Sequence, residues 1–279
     1  MDAPRAEGPS MLLQELWTYP VKGLAGVRLA ASRAGERGLE HDRRFLLATR
    51  SGELISQRDV PAMCRLAPRV VGETVVVEDL RGGREPLVVP LAPRGGEPVS
   101  VTLWGQRCRG ATVSAAADGW LREALRVDCR LVHQPVAAER FADPAFAPRP
   151  TRISFADAFP YLVIGQGSLD ELASRSPEPL SMRRFRPNLV IAGAAPFAED
   201  GWGPFTVGGV SFCAVKPCPR CPVTTIDPDT GAMGKEPLRT LATFRRWDGS
   251  VWFGQNAIAA GEGWLREGDP VVAEPRQAP

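Results

Sequence analysis

The chain has 279 residues, of which 44% are hydrophobic and 24% charged, and its formal net charge is +2 at pH 7. These values are ordinary for a globular protein that buries a sizeable core. The nearly balanced charge argues against a nucleic-acid partner, because such proteins carry a strong basic excess. A small anionic ligand is still compatible with it, since a local basic pocket need not change the total.

The N-terminal segment "MDAPRAEGPSMLLQELW" lacks the charged region and apolar run of a signal peptide. The longest apolar runs, such as "YLVIG" and "NLVIAG", are far shorter than the roughly 20 residues of a membrane span. Six cysteines with only one close pair are not typical of a secreted disulfide framework. We therefore expect a soluble, cytoplasmic protein.

Short strands are predicted throughout residues 12–110. Alternating or Val-rich stretches are separated there by Gly and Pro, which is typical of an antiparallel sheet or small barrel. The stretches are "LQELWTYPV", "RRFLLAT", "VVGETVVVED", "EPLVVPLA" and "VSVTLWG".

Helix signals are fewer. Ser114 can cap "AAADGWLREALR", whose apolar residues Trp120, Leu121, Ala124 and Leu125 share one face. This pattern predicts one amphipathic helix.

The second half mixes helices with strands. Ser168 and Glu171 match a capping box that would start a helix running to about Ser174. In "PLRTLATFRRW", Pro237 stands at a favourable first-turn position. Strands are predicted at "NLVIAG", "VSFCAV" and "SVWFGQNAI". A Pro- and Ala-rich stretch at 139–152 marks a boundary, giving a β-barrel-like module at 10–138 and an α+β unit at 139–279.

The only close cysteine pair, Cys218 and Cys221, lies in "KPCPRCPVTTIDPDTG". A closed zinc site needs four ligands, and a redox pair normally opens a helix, which the following "PVTTI" disfavours. Two unrelated cysteines in a buried loop, or one thiolate acting as a single soft ligand to a metal, are the other interpretations. Spacing alone leaves all four interpretations of the pair open.

The segment Asp227-Pro228-Asp229 predicts a turn, with an acid near a metal as the weaker alternative.

The same loop, with "KEPLRTLATFR" and "FGQNAIAAGEGWLREGDPV", resembles a MOSC domain. "YPVKGLAGV", "RGLEHDRRFLL" and "ISQRDVP" resemble the N-terminal β-barrel module of molybdenum-cofactor proteins related to the amidoxime reducing component. "FADAFPYLVIGQGSLDEL" and "RRFRPNLVIAG" match the remaining blocks in order. The resemblance covers residues 12–273 and implies a β-rich α+β fold, with the MOSC N-terminal module at 10–138 and the MOSC domain at 139–279.

The resemblance implies that Cys221 is the protein ligand of a molybdenum cofactor (Mo-molybdopterin), and that Cys218 is a neighbour. Lys22 in "YPVKG" and Arg43 in "HDRRF" match phosphate-binding positions. The residues implied to contact the pterin or to stand beside the metal ligand are Asp157, Phe159, Arg186, Asn188 and Arg220. The chain departs from the family at Gly23, where serine is frequent, and at Pro219.

The implied activity is the two-electron reduction of N-hydroxylated compounds such as amidoximes, hydroxylamines and N-hydroxylated bases. Since no iron–sulfur or dinucleotide motif is found in the sequence, a separate ferredoxin- or cytochrome b5-like donor with a flavin reductase is expected to supply electrons. The alternative is a sulfur carrier or cofactor-delivery protein that uses Cys221 as a persulfide or ligand. No pyridoxal-phosphate desulfurase domain is recognised in the sequence.

Overall fold

The computed structural model describes residues 10–147 and 149–276. The helices are α1 (Ala115–Leu125), α2 (Gln166–Arg175) and α3 (Leu238–Phe244), with 3-10 helices at Pro61–Arg65, Met182–Phe185, Ala198–Gly201 and Pro222–Thr225. The strands are β1 (Leu12–Thr18), β2 (Val27–Leu29), β3 (Ala31–Gly35), β4 (Gly38–Leu39), β5 (Phe45–Ala48), β6 (Leu54–Ile55), β7 (Leu66–Val71), β8 (Thr74–Asp79), β9 (Leu87–Pro90), β10 (Pro98–Leu103), β11 (Gln106–Thr112), β12 (Arg130–His133), β13 (Tyr161–Gly165), β14 (Leu189–Ala192), β15 (Trp202–Val207), β16 (Val210–Pro219), β17 (Arg246–Trp247), β18 (Ser250–Ala259), β19 (Gly263–Arg266) and β20 (Val271–Pro275).

A nine-stranded sheet dominates the C-terminal half, in the order β2-β1-β14-β13-β18-β16-β15-β20, with β17 paired to β18. Only β13 and β14 run parallel in it, and α2 connects them; such a pair needs a crossover longer than a hairpin. The other pairs are antiparallel, as expected for an α+β protein. The β-rich α+β fold class is therefore confirmed.

The N-terminal module contains a five-stranded sheet (β10-β11-β12-β5-β6) and a three-stranded sheet (β7-β8-β9). Both contribute to one apolar core, which includes Phe45, Leu66 and Val75 and is closed by the buried face of α1. Ser114 caps α1 through a 3.1 Å bond from the Ala117 amide, so the predicted cap is confirmed.

The two halves interlock, because strands from the beginning of the chain join sheets of the end. β1 pairs with β14, and β3 pairs with β19. These pairings place the loop after β1 beside the loops that precede β13 and follow β16, and the cleft described below lies there. Among the described residues, none of the helices has the length and apolarity needed to cross a membrane.

Three local predictions are wrong in detail. Ser168 does not cap α2, because the helix begins earlier and the Ser168 hydroxyl instead donates to Glu199 at 2.8 Å in the core. "VVGETVVVED" is a hairpin of β7 and β8 around Gly72, whose φ of 55° allows the reversal. The "PVTT" after the cysteines forms a 3-10 helix.

Candidate active site in the cleft between the modules

All eight site residues expected from the sequence line one cleft. The residues come from five separate stretches of the chain: Lys22, Arg43, Asp157, Phe159, Arg186, Asn188, Arg220 and Cys221.

The cysteine loop is fixed by backbone pairing to β18. Pro219 lies opposite Trp252 in the ladder, and the Arg220 amide donates to the Val251 carbonyl at 2.7 Å. Cys221 occupies the N-cap position of the 3-10 helix Pro222–Thr225 and is half-buried on the cleft wall. The loop therefore presents its second thiol to the cleft from a rigid support.

Two of the interpretations of the cysteine pair find no support in the geometry. Within the described ranges, no three His, Cys, Asp or Glu side chains come together as a metal group, so a closed zinc site is not formed. The pair does not open an α-helix, whose N-terminus would lower the pKa of a redox thiol. Burial instead raises the pKa of the Cys218 thiol, with Arg220 opposing that effect.

Arg220 approaches the first cysteine. Its Nη1 lies 3.0 Å from Cys218 Sγ, and its Nη2 donates to the Phe185 carbonyl at 2.7 Å. Its Nε is buried and has no hydrogen-bond partner among the described residues. A buried guanidinium N–H without a hydrogen-bond partner costs free energy. The Nε of Arg220 is therefore suited to a ligand that supplies a hydrogen-bond acceptor.

Lys22 reaches into the cleft from the loop after β1. Its Nζ donates to the Phe155 carbonyl at 2.8 Å and to Asp157 Oδ1 at 2.5 Å. Burial lowers the pKa of Lys22, and the Asp157 carboxylate opposes that effect. Although burial favours the neutral acid, Lys22 and the Trp104 indole hold the pKa of Asp157 well below its usual range. The Asp157 carboxylate is therefore ionised at neutral pH.

Gly23, the departure next to Lys22, has a structural reason. Its φ is +85°, and a Cβ built on it would lie 2.6 Å from Met63 Cε. A serine would therefore be strained and would need Met63 to move. With glycine at this position, the loop lacks a hydroxyl that could contact a ligand, but it packs closely against Met63 of the N-terminal core.

Asn188 positions Arg43. The Asn188 Oδ1 accepts from Arg43 Nη1 at 3.1 Å and from the Leu162 amide at 3.2 Å. Its Nδ2 donates to the Trp17 carbonyl and to Asp42 Oδ1. Both amide donors and the acceptor of Asn188 are used inside the protein, so the contact of this side chain with the cleft is the orientation of Arg43.

Arg43 and Arg186 share one aromatic support. Their guanidinium carbons lie 4.5 Å and 4.3 Å from the centroid of the Tyr19 ring. Arg43 also forms a 2.6 Å ion pair with the buried carboxylate of Asp42. Burial lowers the pKa of Arg186 to about 10, so this residue stays cationic at neutral pH. The two arginines thus give the cleft a preorganised basic wall.

Phe159 combines two roles. Its side chain is 5% exposed and packs in a small core with Ala142, Ile153 and Ile258, while one edge lines the cleft.

The turn Asp227-Pro228-Asp229 lies outside the cleft lining, and Asp227 Oδ1 accepts from the Asp229 amide at 3.0 Å. The structural interpretation of that turn is therefore confirmed.

Sequence reasoning missed Arg140, which lies in the stretch interpreted as a domain boundary. It is 6% exposed and clamps the cleft wall by donating to the carbonyls of Ser154, Ala156 and Asp157 at 2.5–3.0 Å. Its surroundings in the sequence are rich in Pro and Ala, so no local signal indicated a buried cation. Its role arises from contacts with residues 14 to 34 positions away in the sequence, including one with Gln106.

Trp104 was also missed, because it stands at the end of a predicted strand. In the structure it lies at the tip of the β10–β11 hairpin and lines the cleft together with Arg58. Its Nε1 donates to Asp157 Oδ1 at 2.9 Å. A glycine at the end of a strand is a turn signal, but it does not give the direction of the indole.

The charges in and directly behind the cleft are unbalanced. Five buried or half-buried basic residues, Lys22, Arg43, Arg140, Arg186 and Arg220, face the carboxylates of Asp42 and Asp157. Buried cations are costly unless they are paired. The fold and this site together define a β-rich protein of two interlocked modules whose cleft is built for an anionic ligand beside a free thiol.

Comparison with known proteins identifies the family. Residues 10–128 match the model of the MOSC N-terminal beta barrel domain, and residues 150–272 match the MOSC domain. The chain is 31% identical over 277 residues to "Mitochondrial amidoxime-reducing component 1" of Homo sapiens, covering 92% of this chain and 81% of that protein. The Mus musculus protein of the same name is 30% identical, with 92% and 80% covered. The chain therefore belongs to the MOSC family and is a homologue of the amidoxime-reducing components.

A second group of relatives carries another name. "Molybdenum cofactor sulfurase" of Danio rerio is 30% identical over 271 residues, which cover 90% of this chain but 32% of that protein. Together, the family match and these two groups of relatives support a function related to the molybdenum cofactor. These names also agree with the resemblance found in the sequence.

Proposed function

We propose that this protein binds the molybdenum cofactor in the cleft, with Cys221 as the metal ligand, and reduces N-hydroxylated compounds. The observation that carries the proposal is the convergence of a half-exposed thiol and a surplus of buried cations in one cleft. A phosphorylated pterin dithiolene is an anion, and basic side chains beside a thiol are suited to bind it.

The basic residues divide the cofactor between two ends. Lys22 and Arg43 would hold the phosphate, since an ammonium and a guanidinium are the usual partners of phosphate oxygens. Arg186 and Arg220 would face the pterin, and the unpaired Arg220 Nε is the donor that an acceptor there would satisfy. Phe159 would supply an apolar wall, and Asn188 would keep Arg43 in position.

Cys221 would act as a single soft ligand. A thiolate suits a metal whose other ligands are sulfur and oxo groups, and the stiff, proline-bordered loop keeps the sulfur in place. When bound, the cofactor would supply two-electron chemistry that removes oxygen from an N–O bond. The chain itself would bind, orient and partly desolvate the substrate at the cleft.

Electrons are expected from a separate ferredoxin- or cytochrome b5-like protein with a flavin reductase. Among the described residues, neither a cluster of metal-binding side chains nor a dinucleotide-binding element offers an internal source. The half-exposed position of Cys221 is compatible with a redox partner that approaches the cleft mouth. The cytoplasmic location also remains a prediction.

The test is to express the protein in a host that makes the cofactor and to measure molybdenum after dialysis. We expect about one molybdenum atom per chain and reduction of benzamidoxime to benzamidine when a reduced donor is added. Protein that carries no molybdenum after such expression, or loaded protein inert toward every N-hydroxylated compound, would contradict the proposal.

The relatives named molybdenum cofactor sulfurase favour one alternative, a sulfur-carrier or cofactor-delivery protein in which Cys221 forms a persulfide. A nucleophilic thiol needs exposure, and Cys221 is half-exposed to the cleft. Mass spectrometry of Cys221 and the stability of molybdenum binding distinguish the two functions. A carrier would show a persulfide and lose the metal on dialysis.

A further inference from the structure

Trp104 occupies a backbone position that favours other residues. It forms a two-residue hairpin loop with Gly105, and their φ angles are +50° and +82°. Such type I′ loops favour Asn-Gly or Gly-Gly, and a bulky residue with positive φ is strained. The side chain is also 47% exposed, so burial in a core does not explain it. Strain of this kind points to a role for the side chain itself.

The indole is held by two other loops. Its Nε1 donates to Asp157 Oδ1 at 2.9 Å, and the Arg58 guanidinium carbon lies 4.4 Å from the ring centroid. Asp157 is in turn fixed by Lys22 at 2.5 Å. An exposed aromatic ring is therefore fixed in one orientation at the cleft, which lowers the entropy cost of stacking on it.

Exposure separates the cleft into a floor and a mouth. On the floor, Lys22 is 8% and Phe159 5% exposed. At the mouth, Trp104 is 47% exposed, Arg58 is exposed, and the Asp157 side chain is 75% exposed. An anionic ligand that fills the basic floor would leave the indole of Trp104 available to the next molecule that enters.

We propose that Trp104 is a specificity-determining residue whose ring face opposite Arg58 stacks on the planar, conjugated part of an aryl N-hydroxylated substrate, with Arg58 and Asp157 fixing the indole. This inference rests on the function proposed above. It assigns the substrate class that the mouth favours: flat aryl or heteroaryl amidoximes over small alkyl ones. Stacked aromatic pairs contribute enough for a preference of about two- to tenfold.

The decisive variant is Trp104→Asn, because Asn is favoured at this loop position and removes the ring. Its thermal stability should equal or exceed that of the natural chain. With cofactor-loaded protein, we expect KM for benzamidoxime to rise about two- to tenfold, while KM for acetamidoxime and both kcat values change little. Trp104→Phe keeps a ring and should recover most of the preference.

Binding without turnover gives an independent readout. In the absence of an electron donor, calorimetry should show that Trp104→Asn weakens benzamidoxime binding by the same factor. Trp264→Ala is a matched control, since Trp264 is 54% exposed and lies outside the cleft lining. Equal effects on the aryl and alkyl compounds, or unchanged aryl binding, would overturn the inference. Loss of molybdenum from the natural chain would instead point to failure of the proposed function.

Discussion

The Lys22 ammonium lies 2.5 Å from the Asp157 carboxylate, and the two side chains are 10% and 75% exposed. The Lys22 ammonium is thus buried against the protein, whereas the Asp157 carboxylate is exposed to the cleft. Lys22 is also the residue expected to bind the cofactor phosphate, so the carboxylate and the phosphate are competitors for one ammonium group.

This competition predicts opposite effects for the two partners. Lys22→Met should release molybdenum about 10- to 100-fold faster, because it removes a charge-assisted hydrogen bond from the phosphate. Asp157→Asn should retain the metal at least as well as the natural chain, because a negative neighbour is lost. Metal analysis during timed dialysis measures both, and equal losses would show that the ion pair acts as one unit.

The two cysteines of the loop should differ. Cys221→Ala should abolish reductase activity and change the electron paramagnetic resonance signal of reduced molybdenum, because a sulfur ligand is removed. Cys218→Ala should keep most of the activity, because Cys218 is not the expected metal ligand and its Sγ contacts Arg220 instead. Equal loss of activity in both variants, with an unchanged metal signal, would favour a redox pair.

Arg140 should contribute strongly to stability. Arg140→Met keeps much of the volume but leaves the carbonyls of Ser154, Ala156 and Asp157 without their donor. We expect a loss of about 2–4 kcal/mol in the free energy of unfolding, measured with urea. Arg122→Met is the control, because its ion pair with Asp128 is exposed and should contribute under about 1 kcal/mol. A similar loss for both variants would contradict the assigned clamp.

His133 predicts a pH dependence of stability. Burial, with a further contribution from Arg44, lowers its pKa from 6.5 to about 4. Between these values the unfolded chain binds more protons than the folded one, so stability falls as the pH drops from about 6.5 to about 4. The contribution of His133 is at most about 3 kcal/mol.

His133→Gln should flatten this part of the pH profile, measured as the urea midpoint at each pH. His41→Gln is the matched variant, because burial also lowers the pKa of His41 but its side chain is 34% exposed. It should change the profile less. A profile that is unaltered by the His133 substitution would assign the acid sensitivity to the carboxylates.

Local patterns predicted the elements where the deciding interaction is near in sequence. Ser114 caps α1 through an amide three residues away, and the apolar spacing of that helix matches its buried face. Ser168 shows the limit, since its hydroxyl accepts from the Phe197 amide, 29 residues away, and donates to Glu199, 31 residues away. A buried polar side chain bonds the groups that satisfy its hydrogen-bonding capacity in the folded protein, and those groups are not always close in sequence.

The sequence by itself determined the family, the fold class and eight of the residues that line the cleft, because their motifs are contiguous and specific. The tertiary structure decided how those residues work. In the folded protein, the side-chain amide oxygen of Asn188 accepts from Arg43, and Asp157 pairs with Lys22, which is 135 positions away in the sequence. Folding also brings Arg140 and Trp104 to the site. These contacts depend on chain segments that meet only when the sheets pair, so no local pattern carries them.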